Sequence, residues 1–379
     1  MKVLAIALGI AATLAFGLST AALAETGISD TEIRVGMVNV QAGPAAALGK
    51  GMRAGAEAVF NSVNAKGGVN GRKITLLVAD DSYEPDKAID ETLKMIEQQQ
   101  VFALFGSVGT PTTNAIVPIL KEMDVPLVGP FTGSMALRQP VTRQIFNIRA
   151  SYNDEAEALV AQFIAHGAKS IGVFYQDDAF GLAVLSGTEK AMQKRGLSVA
   201  VKSTFPRNTL AVKSGLAAML EAKPDAIIMV GPYAPIAAFI KEARAANLKS
   251  QLATVSFVGT DNLVEQVGKD GDGVIISQVV PLPQDADSAV TRSCKELLAQ
   301  TGTELGFVNL EGCISAKVFV YGLEHAGRDL TRAGLVGALE GMQGVDLGGL
   351  AVTLSGTSHQ ALNQVFLTQV RDGHIAKLQ

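Results

Sequence analysis

Short β-rich apolar runs alternate with longer stretches whose apolar positions recur every three or four residues. Strand signals fall at 33–40 (IRVGMVNV), 73–80 (KITLLVAD), 102–106 (FALFG) and 126–129 (PLVG). Between them the spacing predicts helices over 47–66, where Met52, Ala56, Phe60 and Val63 share a face, over 85–99 and over 111–123. Pro85 and Pro111 stand at the first turns of their helices, where a missing N–H costs nothing. The series then restarts, with strands at 170–176, 197–205, 225–231 and 252–258 and helices over 154–166, 180–195, 208–222 and 235–247. A strand at 273–280 (GVIISQVV) begins a return. Helices over 286–301, 309–325 and 331–342 follow, and 352–355 and 364–373 read as antiparallel edge strands.

The strands are continuously apolar rather than alternating, so both faces are expected to be covered, as in parallel sheets between helices. Two blocks of similar length predict an α/β fold of two doubly wound parallel-sheet lobes rather than one barrel. The stretch 275–350 has helices but too few strands for a domain of its own, so the chain is expected to cross between lobes more than once. In such sheets ligands sit beyond the C-terminal strand ends. The turns that follow strands are therefore the candidate sites.

After 102–106 comes Gly106-Ser107-Val108-Gly109-Thr110-Pro111-Thr112, where glycines admit a ligand and Thr110 is placed to cap the next helix, whose free N–H groups favour an anion. The loop Pro130-Phe131-Thr132-Gly133-Ser134 offers hydroxyls, a ring and a flexible glycine to a small polar ligand with an apolar part. Asp177 and Asp178 precede Phe180, and capping suits them better than calcium, whose ligand series is absent. Tyr233 and Ser256 follow two further strands. Each of these turns reads equally well as ordinary loop filling.

Residues 1–24 carry one charge, Lys2, then a long apolar run ending in Ala22 and Ala24, the pattern of a secretory signal peptide with an A-x-A cut after Ala24. The run is long enough to span a bilayer, but Thr13, Ser19 and Thr20 weaken it and no basic stop-transfer residues follow. The expected location is therefore the periplasm, where disulfides persist, which makes Cys294 and Cys313 a candidate structural pair. Composition narrows the function further. With 48% hydrophobic and 18% charged residues the chain is globular rather than disordered, and a net charge of −4 argues against a nucleic-acid partner. Four scattered histidines (166, 325, 359, 374) show no pairing, and GxSxG, HExxH, Walker A and strand-following GxGxxG motifs are missing. Neither an enzyme nor a cofactor is expected, and the histidines read as surface or helix-end residues.

The block NAKGGVNGRK…DDSYEP, with LFGSVGTPTTNAIVPIL, VPLVGPFTG, FNIRAS, GVFYQDDAFG and PDAIIMVGPY, resembles the type I periplasmic binding proteins of ABC importers, in the leucine/isoleucine/valine-binding branch. The resemblance spans essentially all of the chain after residue 24. It implies two lobes, 25–148 plus 281–349 and 149–280 plus 350–379, joined by three crossovers near Ile148, Val280 and Leu350 that hinge around a small ligand. It places Thr110 at the hydroxyl that receives a ligand carboxylate, Phe131, Thr132 and Gly133 on the facing loop, and Phe180 and Tyr233 at two aromatic positions.

Tyr152 and Ser256 fall where the amino-acid binders of the family carry acids. A buried α-ammonium without an acceptor is costly, so this departure points to an aromatic or aliphatic carboxylate or an amide. The competing expectation keeps an amino acid, with Glu311 or Asp177 as the acceptor. The implied partners are a small amino acid or organic acid and the membrane permease of an importer. The alternative is a ligand sensor that presents its closed form to a signalling partner.

Overall fold

The computed structural model describes residues 25–378, so the expected leader at 1–24 lies outside the described residues. The first sheet comprises β1 (Glu32–Asn39), β2 (Lys73–Asp80), β3 (Ala103–Phe105), β4 (Leu127–Val128) and β5 (Ile145–Phe146), all parallel in the order β2-β1-β3-β4-β5. The second contains β6 (Ile171–Gln176), β7 (Val201–Phe205), β8 (Ala226–Val230), β9 (Gln251–Thr254) and β10 (Ile275–Gln278) in parallel. After the small hairpin β11 (Val345–Asp346) and β12 (Ala351–Val352), β13 (Phe366–Arg371) and β14 (His374–Lys377) close this sheet as an antiparallel edge. Strand β8, AIIMV, is buried along its whole length, as a central parallel strand must be.

Helices cover both sheets: α1 (Ala46–Ala65), α2 (Pro85–Leu93) and α3 (Thr110–Glu122) on the first, and α4 (Tyr152–Ala165), α5 (Ala179–Gln193), α6 (Lys213–Ala222), α7 (Tyr233–Ala245) and α8 (Thr260–Val267) on the second. The later helices α9 (Ala289–Ala299), α10 (Phe307–His325) and α11 (Arg332–Glu340) return to the first core. α1 and α10 pack backbone to backbone. A Cβ on Gly55 would stand 2.2 Å from the Asn309 carbonyl, and one on Gly312 2.5 Å from that of Met52. Cys294 of α9 and Cys313 of α10 are joined by a disulfide.

The chain passes between the cores three times. Ile148 belongs to the first core and Tyr152 to the second; Ile276 to the second and Val280 to the first. Val352, Leu354, Ala361 and Leu362 are also in the first core, so the last passage follows Leu362 instead of lying near Leu350. The cause is local: β12 pairs with β11, and Gln360 bridges to Asn147 beside β5.

Other differences are of the same kind. β7 starts only at Val201, β9 stops at Thr254 and gives way to a 3-10 turn over Ser256–Val258, and α2 runs into a π-helical turn over Lys94–Gln98. His359 is buried rather than at the surface. Its Nε2 meets Glu340 Oε1 at 3.1 Å, Nδ1 lies 2.9 Å from the Ile145 carbonyl, and the ring stacks on Phe146. Among the described residues no helix is long and apolar enough to cross a membrane, and no cluster of His, Cys, Asp or Glu could hold a metal ion.

Candidate functional site

Because the strands of each sheet are parallel, the turns after them emerge along one edge, and those two edges face each other. From the first sheet come Asp81–Tyr83 after β2, the Gly106–Thr110 turn after β3 and the Gly129–Ser134 loop after β4. From the second come Gln176–Phe180 after β6, Gly231–Tyr233 after β8 and Val255–Gly259 after β9. They meet in a cluster of rings. Phe257 lies 5.4 Å from Phe131, 4.4 Å from Phe180 and 6.3 Å from Tyr83, and Tyr152 lies 5.3 Å from Phe180. Phe131, Tyr152, Phe180 and Phe257 are at most 1% exposed, so both lobes cover them.

Thr110 is the first residue of α3 and makes no cap bond; the flanking Gly109 holds the N-cap position. Its hydroxyl turns instead to Thr132, Oγ1 to Oγ1 at 2.6 Å, joining the two loops of the first sheet. At Gly133 only glycine fits, because a Cβ would lie 2.5 Å from Tyr152 Cδ1; the Gly133 carbonyl accepts the Tyr152 N–H at 2.7 Å. Ser151 and Asp154 form the capping box that starts α4 and sets Tyr152 facing this loop. The Tyr152 hydroxyl is buried beside Thr132, and burial pushes its pKa up to about 12. Asp178 caps α5 by accepting the N–H groups of Phe180 and Gly181, which fixes the Phe180 ring. Asp177, next to Asp178, is exposed. The Tyr233 hydroxyl crosses to the first lobe and accepts the N–H of Ala47 at 3.3 Å.

Behind the rings lies a buried charge cluster. Arg149, just before α4, is 0% exposed. Its guanidinium lies over the Phe131 ring, 4.6 Å from the centroid, and its Nη2 donates to the Ser256 hydroxyl. Nη2 is 3.5 Å from Glu155 Oε1 of α4, and Nε is 3.6 Å from Glu311 Oε1 of α10. The three charged groups thus tie the first passage to both lobes. Glu155 also accepts the Ser256 N–H at 2.8 Å and the Ser277 hydroxyl at 2.6 Å. Burial raises the Glu311 pKa to about 7 although Arg149 opposes it. For Arg149, burial pulls the pKa down, but Glu311 and Glu155 outweigh it and leave the pKa raised. Arg138, also buried, donates to the carbonyls of Thr132, Ser134 and Arg149; burial and Arg149 lower its pKa to about 9.

At the other end, Arg207 lies over Tyr83, 4.6 Å from the ring centroid, and 3.7 Å from Asp178. Burial raises Asp81 to about 7. Arg149, Glu155, Tyr83 and Phe257 escaped the sequence reading. The available signal was a lone arginine in the apolar FNIRAS segment and a phenylalanine beside Ser256.

The model of the periplasmic binding protein family matches residues 32–374. A possible leucine/isoleucine/valine-binding protein from Rhodopirellula baltica SH 1 superposes with a TM-score of 0.89 at 33% identity, covering 92% of this chain and 97% of that one. A substrate-binding periplasmic protein from Ralstonia solanacearum gives 0.87 at 27% identity, covering 92% and 100%. The Leu/Ile/Val-binding protein homolog 7 of Brucella abortus (strain 2308) is 25% identical over 242 residues, 61% of this chain but only 60% of that protein's length. The chain belongs to the type I periplasmic binding protein family, in its branched-chain amino acid branch. It is therefore a binding protein and not an enzyme.

Proposed function

We propose that this protein is the periplasmic solute-binding component of an ABC importer, and that it holds a small carboxylate-bearing solute with an apolar or aromatic body between its lobes. The observation that carries this reading is the meeting of loops from both sheets at one ring cluster, lined with hydroxyls and buried guanidinium groups. In this reading Thr110 and Thr132 receive the carboxylate. Phe131, Gly133, Tyr152 and Phe180 form the walls, Ser256 and Glu311 orient Arg149, and Tyr233 ties the lobes when they close. A solute that touches both lobes only in the closed form shifts the open–closed equilibrium by its differential affinity for the two forms. The closed form then docks on the membrane permease. Residues 1–24 act as the export signal and are removed after Ala24.

Native mass spectrometry of protein purified from the periplasm tests both parts. The expected result is an N-terminus at Glu25 and a co-purifying small acid. Protein that carries no small molecule and gives no calorimetric heat with leucine, benzoate or short-chain acids would refute the solute-binding reading.

A further inference from the structure

Within the charge cluster one group is under-used. Arg149 is completely buried, yet Nη1 has no hydrogen-bond partner among the described residues, and Nε has only the Glu311 carboxylate at 3.6 Å. Guanidinium donors shut away from water without a close acceptor are costly unless an acceptor arrives. Their surroundings point to where it arrives. The guanidinium lies over the Phe131 ring, 4.6 Å from its centroid, and the next residue, Thr132, has its hydroxyl paired with Thr110. Arg138 grips the far side of the same loop through the Thr132 and Ser134 carbonyls, with Nη1 to Ser134 O at 2.8 Å. Two buried guanidinium groups thus contact the Phe131–Ser134 loop.

The two buried acids do not stand free. Glu155 is held by the Ser256 N–H, the Ser277 hydroxyl and Arg149, and Glu311 faces Arg149. An α-ammonium placed among them would lie in the same low-dielectric space as a fixed guanidinium and would compete with it for both carboxylates.

We propose that Arg149 is the specificity-determining residue of the cleft. Its guanidinium, through the unpartnered Nη1 and the weakly held Nε, joins the Thr110 and Thr132 hydroxyls in receiving an anionic head group, and its claim on Glu155 and Glu311 turns away an α-ammonium. The ligand class is accordingly a carboxylate without an α-amino group. This rests on the solute-binding reading above and adds the choice between organic acid and amino acid. Selection by a buried arginine also explains why Tyr152 and Ser256 need only hydroxyls: no ammonium has to be matched.

The test is calorimetry on unfolded-and-refolded, ligand-free full-length protein with matched pairs: leucine against 4-methylpentanoate, and phenylalanine against 3-phenylpropanoate, with benzoate beside them. The expected result is a preference for the des-amino acid of at least tenfold in one pair. In Arg149→Gln that preference is expected to fall to within about threefold, with most of the loss in affinity for the acid. Because this variant leaves two glutamates without their cation, Arg149→Gln/Glu311→Gln is measured alongside. It removes one positive and one negative charge together, and its melting curve is recorded to check that it is folded. Equal or tighter binding of the amino acids by the wild type overturns the proposal while leaving the solute-binding reading intact. So does a preference unchanged in both variants. Silence with every probe, together with no co-purifying molecule, removes the solute-binding reading and this proposal with it.

Discussion

Glu311 offers a quantitative test of the buried cluster. It lies on α10 with its side chain 5% exposed and, among the described residues, only Arg149 within ion-pairing distance, and burial lifts its pKa from the usual 4.5 to about 7. An acid raised in the folded state keeps its proton there while the unfolded chain has already released it. Its contribution to stability is fully present below pH ~4.5 and is lost as pH rises through about 7. At 1.36 kcal/mol per unit, the loss across that window is about 3 kcal/mol. Glu311→Gln keeps the shape and removes the titration. Denaturant midpoints of ligand-free wild type and variant at pH 5, 6, 7 and 8 should therefore diverge steadily, the wild type losing about 3 kcal/mol relative to the variant by pH 8.

Other groups around the cluster do not confound the comparison. Arg149, Glu155 and Arg138 are present in both proteins, and so is Asp81, also raised to about 7 by burial beside Arg207. Their effects cancel in the difference between the two curves. A wild type and variant that run parallel from pH 5 to 8 would show that Glu311 is ionised throughout, and the account of a carboxyl that burial keeps protonated would fail.

Three further outcomes follow from the geometry. Gly133→Ala places a Cβ against Tyr152, so calorimetric affinity should drop by roughly tenfold or more, the cost of about 1.4 kcal/mol of displaced packing; unchanged affinity would show that Tyr152 is not part of the site. Cys294→Ser/Cys313→Ser opens a link between positions 19 residues apart and should lower unfolding free energy by about 3 kcal/mol in urea, and an unmoved midpoint would contradict this. Phe257→Ala empties the centre of the ring cluster and should cost about 3 kcal/mol of stability, read as a lowered melting temperature; a melt within a degree of the wild type would mean that the rings do not pack as a unit.

How far the sequence could be read depended on how local each cause was. Apolar runs such as AIIMV report burial on both faces within a single strand, so the parallel sheets were legible from pattern alone. Two-residue β5 carries too little signal of its own, and it forms because β4 presents a paired edge. The loops of the cleft were legible for a topological reason: parallel strands deliver their C-terminal turns to one side. What each side chain does there was less so. Thr110 looks like a cap because a proline follows it, yet its hydroxyl is taken by Thr132 on another loop.

Arg149 was the least legible, and the reason bears on function. A lone arginine in the apolar FNIRAS segment hints at burial but names none of its partners. Its environment is assembled from Phe131 after β4 and Glu311 of α10 on one side and from Glu155 of α4 and Ser256 after β9 on the other. On the closure proposed above, a group whose partners come from both lobes is satisfied only when the lobes approach, so the closed form would gain contacts that the open form lacks. A head group that supplies acceptors to Nε and Nη1 adds to that same difference, and it is differential contact of this kind, not tight binding as such, that moves a two-state equilibrium. The residue hidden from pattern reading is therefore the one in which recognition and closure share atoms.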